Sequence, residues 1–210
     1  REVYGNPKYL PVDEDCPLNP VNMYGATKVC GEALCQLFSK TNGLKVTILR
    51  IANSYGPRDK DRVVPIFLDS AKNNGDLILF GGKQVLDFIW IEDVINSMVK
   101  ISKNEKFAGK AVNIGTGIGT SIEELAKTIV KLTGSKSKIM KRKSRKFDVE
   151  NFIAKSNNMI SVVIPVYNEE NTLEGLTQRL IKVLSNLDEE YEIIFINDGS
   201  EDKSGYVISE

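Results

Sequence analysis

Tyr24 and Lys28 lie four residues apart in the segment MYGATK, at the start of a stretch whose apolar residues recur at helical spacing. On an α-helix, positions i and i+4 share a face, so the phenol and the ammonium can point into one cleft. A nearby cation favours the phenolate, which would let a tyrosine act as a general base. Because Y-x-x-x-K is a common spacing, the flanking segments must decide whether the pair is catalytic.

The residue types of the chain restrict the chemistry further. There is no histidine, so Ser-His and Cys-His nucleophile systems are excluded and a zinc site is disfavoured. Cys16, Cys30 and Cys35 are odd in number and lack CxxC spacing, so we predict reduced cysteines and no metal site. Proton transfer must therefore use Tyr, Lys, Asp or Glu.

The composition is ordinary for a globular protein. Of 210 residues, 41% are apolar and 27% charged, and 28 basic residues balance 28 acidic ones. This balance provides no overall attraction to nucleic acid or an anionic membrane. No apolar run approaches the roughly 18 residues of a membrane span, and the N-terminus lacks a signal-peptide pattern. We therefore predict a cytoplasmic protein without a nucleic-acid partner or a membrane span.

The elements that must position Tyr24 and Lys28 follow an α/β pattern. A helix is predicted from about Tyr24 to Lys40, and the apolar run 44–52 is typical of a buried parallel strand. Further strands are predicted at 77–80 and 110–115, and a further helix at 91–102. Ser121 and Glu124 form a capping box for another helix, which Gly134 ends.

Two segments allow more than one interpretation. The glycines of GTGIGT (115–120) resemble a phosphate loop, but their spacing is not GxGxxG, and a strand-to-helix turn is favoured. The basic segment 135–158 is interpreted as a solvated linker or tail rather than a nucleic-acid site. After it a strand (159–166), a helix (171–187) and a strand (191–198) begin a new βαβ pattern. We predict three regions, 1–134, 135–158 and 159–210.

Several flanking segments occur in a fixed order: VYG (3–5), NPVNMYGATKVCGE (19–32), LRIANSYGPR (50–58), VVPIFL (63–68), QVLDFIWIEDV (84–94) and NIGTGIGTSIEEL (113–125). This set resembles the extended short-chain dehydrogenase/reductase family, and within it the NAD-dependent epimerase/dehydratase group, closest to UDP-glucose 4-epimerase-like proteins. The resemblance covers residues 1 to about 155. It implies a Rossmann-type fold, NAD as cofactor, a nucleotide-diphosphate sugar as substrate and a homodimer.

The resemblance also implies roles for single residues. Tyr24 would be the base that takes the proton from a sugar hydroxyl, and Lys28 would hold the nicotinamide ribose and favour the phenolate. Asn53 and Arg145 would contact the substrate diphosphate, and Arg58 would line the same cleft. The alternatives are a turn residue for Asn53, part of a basic run for Arg145 and a surface ion pair for Arg58. Asp87 and Asp93 are expected to fix a loop and cap a helix rather than to act in catalysis.

The sequence also departs from the family pattern. Leu86 stands where many relatives have a diphosphate-binding arginine, and the family's Ser or Thr would precede Arg1 by one residue. REVYG looks like the end of a strand, and the glycine-rich half is not present, so we predict a fragment without turnover. Glu2 lies where decarboxylases and dehydratases carry a carboxylate, while Arg1 replaces the dehydratase aspartate. Epimerisation leads, decarboxylation stays open, and a non-catalytic nucleotide-sugar-binding module is the other alternative.

The last fifty or so residues carry a second resemblance. ISVVIPVYNEENTLEGL (160–176) and YEIIFINDGSEDKS (191–204) resemble the opening of a family-2, GT-A-fold glycosyltransferase similar to dolichol-phosphate mannose synthase. That family would use Pro165, Tyr167, Glu169 and Asp198 to hold a donor nucleotide; ordinary turns are the alternative. The predicted fold class is thus α/β, an incomplete NAD-binding Rossmann-type epimerase fold plus a truncated GT-A βαβ start. The join is either a genuine fusion or a mis-joined fragment.

Overall fold

The structure, a computed structural model, describes residues 1–144, 149–155, 160–186 and 191–209. It divides into two compact units, residues 1–156 and 157–210. The helices of the first unit are α1 (Met23–Asn42), α2 (Val63–Lys72), α3 (Ile91–Ser102) and α4 (Ile122–Thr133). Its strands are β1 (Ile48–Ile51), β2 (Asn53–Tyr55), β3 (Leu77–Phe80), β4 (Val85–Trp90), β5 (Ala111–Ile114), β6 (Gly119–Ser121), β7 (Ile139–Arg142) and β8 (Asn151–Phe152).

The strands of the first unit pair mostly in parallel. β1 pairs with β5, and β3 pairs with β7. β4 pairs in parallel with β2 and β8 and antiparallel with β6. Helices connect most of the parallel pairs, as a mixed α/β fold requires. The predicted α/β class is therefore confirmed. None of the helices in the described ranges is both long and apolar enough to cross a bilayer.

Strand boundaries differ from the predicted ones where local structure intervenes. The predicted strand 44–52 is only four residues long, because residues 44–47 follow the left-handed C-cap Gly43 and lie outside the ladder. β7 lies in the basic segment that was interpreted as a linker or tail. Its residues alternate too weakly in polarity to predict a strand, and β3 supplies the pairing edge.

Helix α1 is longer than predicted and mostly exposed. Asn22 caps its first turn, and only Gly25 and Glu32 are buried within it. The apolar residues that gave the helical periodicity are largely solvent-accessible, with Leu37 and Phe38 more than half exposed. The stripe that predicted the helix is therefore not buried within the described residues.

The core of the first unit lies between the strand pairs and α2 and α4. Tyr4 and Phe152 are fully buried, with ring centroids 5.8 Å apart. Leu77 and Leu79 on β3 are likewise fully buried. The predicted capping box of α4 is confirmed: Ser121 accepts from the Glu124 amide, and the Glu124 carboxylate accepts from the Ser121 amide. This arrangement fixes the start of α4 behind the glycine loop.

The second unit contains β9 (Ile160–Val166), α5 (Leu173–Leu184), β10 (Tyr191–Asn197) and α6 (Ser204–Ser209). β9 and β10 are parallel and in register from Tyr191↔Ile160 to Asn197↔Val166. The predicted βαβ start is therefore confirmed. The carboxyl ends of both strands lie at one edge, where open α/β sheets bind ligands.

Candidate functional site

The structure brings Tyr24 and Lys28 together in an open cleft of about 620 Å³, which we call the first cleft. The Lys28 Nζ lies 5.1 Å from the centroid of the Tyr24 ring. Tyr24 is 61% exposed. Within the described part of the chain, Lys28 has no ion-pair partner. The phenol and the ammonium predicted to act together therefore lie side by side in one accessible cleft.

The start of α1 is held by short-range contacts with the N-terminal turn. The Asn22 side chain accepts a hydrogen bond from the Gly25 amide at 2.8 Å, and its Nδ2 donates to Glu2 Oε2 at 2.8 Å. A Cβ on Gly25 would lie 2.5 Å from the Glu2 carbonyl oxygen and 2.9 Å from Pro20. Glycine at this position lets the helix approach residues 1–4 closely, and this contact fixes Tyr24 at the cleft.

Glu2 lines the same cleft. Its carboxylate accepts from Asn22 and pairs with the Arg1 guanidinium at 2.9 Å. Its side chain is 17% exposed. Glu2, which lies where decarboxylases and dehydratases of the family carry a carboxylate, is therefore next to the helix of Tyr24.

A buried polar cluster, which includes Glu32 and Arg50, forms part of the wall of the first cleft. The Arg50 guanidinium donates to Glu32 and to the Tyr4 hydroxyl, and Tyr4 donates to Asn113 Oδ1 at 2.7 Å. Burial raises the pKa of Tyr4 above its ordinary value, despite the opposing hydrogen bond with Arg50. Tyr4 therefore stays neutral at pH 7 and acts as a structural donor rather than as a base.

Asn53 and Arg62 connect the first cleft to a second opening on the same unit. Asn53 donates weakly to the Asp87 carbonyl at 3.3 Å and lines both the first cleft and a neighbouring cleft of about 480 Å³. Arg62 lines the same two clefts and donates to the Ser54 carbonyl at 2.8 Å. Sequence reasoning missed Arg62, because nothing in its spacing separates it from other charged loop residues.

Other predicted site residues lie elsewhere. Arg58 has a φ of +72° and lines a shallower loop cavity of about 380 Å³, which contains neither Tyr24 nor Lys28. Leu86 is buried and lines the 480 Å³ cleft. The cleft wall is therefore apolar at the position where the family pattern has a diphosphate-binding arginine. Arg145 lies outside the residues that the structure describes.

Asp87 fills the glycine loop from inside the protein. Its fully buried carboxylate accepts from the Thr116 amide (2.9 Å), the Thr116 hydroxyl (2.7 Å), the Gly117 amide (3.0 Å) and the Ala154 amide (3.2 Å). The loop that resembles a phosphate loop thus binds an internal anion. Residues 115–118 form a turn, but the predicted strand-to-helix turn was only partly right, because Gly119–Ser121 forms β6 before α4 begins. The predicted structural role of Asp87 in fixing a loop is confirmed. Asp93 lies in the first turn of α3, whose N-cap is Trp90, so its side chain does not cap that helix.

In the second unit, the predicted nucleotide-binding residues gather near the carboxyl ends of β9 and β10. Tyr167 and Asp198 each directly follow one of these paired strands, and Tyr167 is 57% exposed. Pro165 is exposed on β9. The Glu169 carboxylate accepts from the Thr172 hydroxyl, and the Glu169 amide donates to Ser204.

Hydrogen bonds tie the two turns at these strand ends together. The Asn168 amide donates to Ser200 Oγ, and Asn168 Oδ1 accepts from the Glu201 amide at 2.9 Å. The Glu170 amide donates to Asp202. These bonds hold the exposed residues on a fixed frame. No group of three or more His, Cys, Asp or Glu side chains with metal-binding geometry occurs among the residues described.

Comparison with known proteins agrees with this arrangement. The model of the NAD dependent epimerase/dehydratase family matches residues 1–115, and that of Glycosyl transferase family 2 matches residues 161–210. A UDP-glucose 4-epimerase of Mycolicibacterium smegmatis is 33% identical over 63% of this chain and 44% of its own length. A UDP-N-acetyl-alpha-D-glucosaminuronate decarboxylase of Bacillus cytotoxicus is 37% identical over 66% of this chain and 46% of its own length.

The fold comparison gives the same result. The crystal structure of the Thermotoga maritima UDP-glucose 4-epimerase with UDP-glucose superposes with a TM-score of 0.69 at 32% identity, covering 73% of this chain and 51% of that chain. The chain spans between 37% and 49% of the length of these curated relatives. The fold of the first unit is therefore that of part of a Rossmann-type epimerase. Since its family model covers more than half of the 210 residues, this chain belongs to the NAD dependent epimerase/dehydratase family.

Proposed function

We propose that the first unit supplies the base and part of the sugar-nucleotide site of a UDP-glucose 4-epimerase-like enzyme. The observation that carries this proposal is the shared cleft of Tyr24 and Lys28, with the ammonium 5.1 Å from the ring centroid. Asn53 lines the same cleft. The substrate in this proposal is a nucleotide-diphosphate sugar.

In the proposed reaction, the Tyr24 phenolate accepts the proton of a sugar hydroxyl. When bound, NAD would supply the hydride-transfer chemistry at the carbon that carries this hydroxyl. Lys28 stabilises the phenolate and donates to the ribose of the cofactor. The unpaired ammonium and the exposed phenol fit this role, since both are accessible to a ribose hydroxyl.

Asn53, together with Arg62, is proposed to contact the substrate diphosphate. Arg58, which lines the loop cavity that also contains Arg62, and Arg145 stay predictions from the family resemblance. Asn53 and Arg62 line two adjoining openings, so a diphosphate between these openings would meet an amide and a guanidinium. The guanidinium fork suits bidentate binding of phosphate oxygens. The cofactor pyrophosphate is not assigned to loop 115–120, because Asp87 already occupies its amides.

We expect no turnover from these 210 residues alone. The chain spans about half the length of its relatives, and its sequence contains no GxGxxG loop. The proposal is best tested in a chimera that joins the amino-terminal half of the Thermotoga maritima enzyme to residues 1–156. Conversion of UDP-glucose to UDP-galactose with NAD would support the proposal, provided that Tyr24→Phe abolishes it.

The matched control for that chimera is Tyr55→Phe. Tyr55 packs edge-on against Trp90, with ring centroids 5.4 Å apart, and does not line the first cleft. Equal conversion by the Tyr24→Phe and unsubstituted chimeras would refute the assignment of Tyr24. Loss in both tyrosine variants would point to folding rather than to chemistry.

A second candidate is decarboxylation of a nucleotide-linked uronic acid. The favouring observation is Glu2, whose carboxylate lines the first cleft with Tyr24. The same chimera, supplied with UDP-glucuronic acid, would release carbon dioxide if this candidate is correct. Glu2→Gln should then reduce carbon dioxide release more than it reduces epimerisation.

We propose that the second unit contributes a donor-nucleotide site through Pro165, Tyr167, Glu169 and Asp198. The supporting observation is the pair of hydrogen-bonded turns at the carboxyl ends of β9 and β10. Titration calorimetry of the chain with UDP and GDP tests it, with Asp198→Ala expected to weaken binding.

The alternative for the first unit is a non-catalytic module that binds a nucleotide sugar and pairs through α1. Nucleotide binding without conversion, together with a dimeric size in solution, would favour this alternative.

A further inference from the structure

The buried ion pair between Glu32 and Arg50 lies one helical turn beyond Lys28. Arg50 Nε lies 3.1 and 3.2 Å from the two Glu32 carboxylate oxygens, and Arg50 Nη2 lies 2.8 Å from Oε2. The side chains are 7% exposed for Arg50 and 9% for Glu32. Both carboxylate oxygens are thus occupied by a single guanidinium.

Arg50 is itself held by groups outside α1. Its Nη1 donates to the Tyr4 hydroxyl at 2.9 Å and to the Glu14 carbonyl at 3.0 Å. Tyr4 is in turn anchored on Asn113 of β5. The guanidinium position is therefore set by β1, β5 and the N-terminal segment, and Glu32 must meet it there.

Tyr24 and Glu32 are the two side chains of α1 that can attract the Lys28 ammonium on this face of the helix. Tyr24, Lys28 and Glu32 follow one another at i, i+4 and i+8, so Lys28 has an aromatic ring on one side and a carboxylate on the other. A free Glu32 carboxylate would attract the Lys28 ammonium away from Tyr24. In the structure the ammonium instead lies over the Tyr24 ring, and the carboxylate is bound by Arg50.

We propose that Arg50 is a positioning residue that sequesters Glu32 and thereby reserves the Lys28 ammonium for Tyr24. The placement of Lys28 is a property of the chain itself, whereas its meaning for catalysis rests on the proposed function. The other charged groups that line the first cleft are Arg1, Glu2 and Arg62. Glu2 pairs with Arg1, and Arg62 pairs with Asp59 at 3.5 Å. Neither of these ion pairs includes Lys28.

The test is nuclear Overhauser contact between the ε-methylene of Lys28 and the ring protons of Tyr24, in the 210-residue chain labelled at lysine and tyrosine. Tyr24→Phe and Lys28→Met assign the signal. In Arg50→Met, Glu32 is free to bind Lys28, so we expect the cross-peak to lose most of its intensity. In Arg50→Met with Glu32→Gln, the competing charge is gone and the intensity should return.

The double variant separates positioning from simple structural support. Replacement of a whole buried ion pair by neutral groups is tolerated better than removal of one partner. Where Arg50→Met fails to fold, Arg50→Gln is the second variant, because it removes the guanidinium that binds Glu32 and keeps a neutral polar side chain. An undiminished cross-peak in a folded Arg50 variant would overturn the proposal, as would failure of Glu32→Gln to restore it.

The readout needs neither NAD nor substrate. Failure of the epimerase proposal would therefore leave this result unaffected. Conversely, the cross-peak can contradict the role of Arg50 even if the chimera is active.

Discussion

Asn22 joins Glu2 to the helix that carries Tyr24, through the two ends of one amide. Its Oδ1 caps the amide of Gly25, and its Nδ2 holds the Glu2 carboxylate, each at 2.8 Å. The helix cap and the acidic wall of the first cleft therefore depend on the same side chain.

The two functions of Asn22 can be separated by substitution. Asn22→Ser keeps a capping oxygen but lacks the amide donor, so we expect nearly unchanged stability and a released Glu2 side chain. Asn22→Ala loses both and should lower the free energy of unfolding by about 1 kcal/mol. Urea unfolding, followed by the fluorescence of Trp90, the single tryptophan, measures the free energy of unfolding of each variant. Equal destabilisation by Ser and Ala would contradict the capping role.

Asp87→Asn should strongly destabilise the first unit. The carboxylate accepts four hydrogen bonds from a fully buried position, and an amide would face backbone N–H groups with a donor of its own. We expect a loss of about 2–3 kcal/mol in the free energy of unfolding. The matched control is Asp93→Asn, because Asp93 is exposed on α3 and should change stability by less than about 0.5 kcal/mol. Similar losses for both variants would mean that the buried network matters little.

Gly115→Ala tests the close approach of the glycine loop to Asp87. An added Cβ would lie 2.5 Å from Asp87 Oδ2 and 2.6 Å from the Cβ of Ala154, so the loop or the network must shift. We expect a loss of about 1–3 kcal/mol, measured as a lower urea midpoint of the Trp90 signal. Gly31→Ala on helix α1 is the control, because an added Cβ there would have no atom of another element within 4 Å. That variant should be unchanged or stabilised by up to about 1 kcal/mol.

Glu123 ties α4 to β7 in a pH-dependent way. Hydrogen bonds from Lys141, at 2.5 Å, and from Lys127 lower the pKa of Glu123 below its ordinary value. A lowered folded-state pKa means that the stabilisation is present above the unfolded pKa and is lost as pH falls through the folded pKa. The stability difference between the wild-type chain and Glu123→Gln should therefore shrink on acidification below the ordinary carboxyl pKa.

Unfolding of both proteins at neutral pH and at a pH below the lowered pKa measures that difference. Glu105→Gln serves as a comparison, because Glu105 makes one exposed pair, with Lys45, away from α4. A Glu123→Gln difference that is independent of pH would exclude this ion-pair contribution. Added salt should also reduce it, because the pairs are exposed.

Local signals in the sequence predicted the elements with their own periodicity or caps. The helix from Tyr24 and the capping box of Ser121 and Glu124 were correct, because each depends on residues within a few positions of one another. Helix α2 and the strands β2, β4, β6, β7 and β8 were not predicted. These strands depend on partner strands that are distant along the chain. The family resemblance predicted roles for Tyr24 and Lys28 and indicated none for Arg62.

The sequence by itself determined that Tyr24 and Lys28 share a helix face, because four-residue spacing fixes this whatever surrounds the helix. It also determined the class of chemistry that a chain without histidine can perform. Only the tertiary structure decided that Glu32 binds Arg50 rather than Lys28, and that Asp87 fills the glycine loop. Those partners lie 18 and 29 residues apart in the sequence, and spacing in the sequence does not encode contacts that packing alone creates.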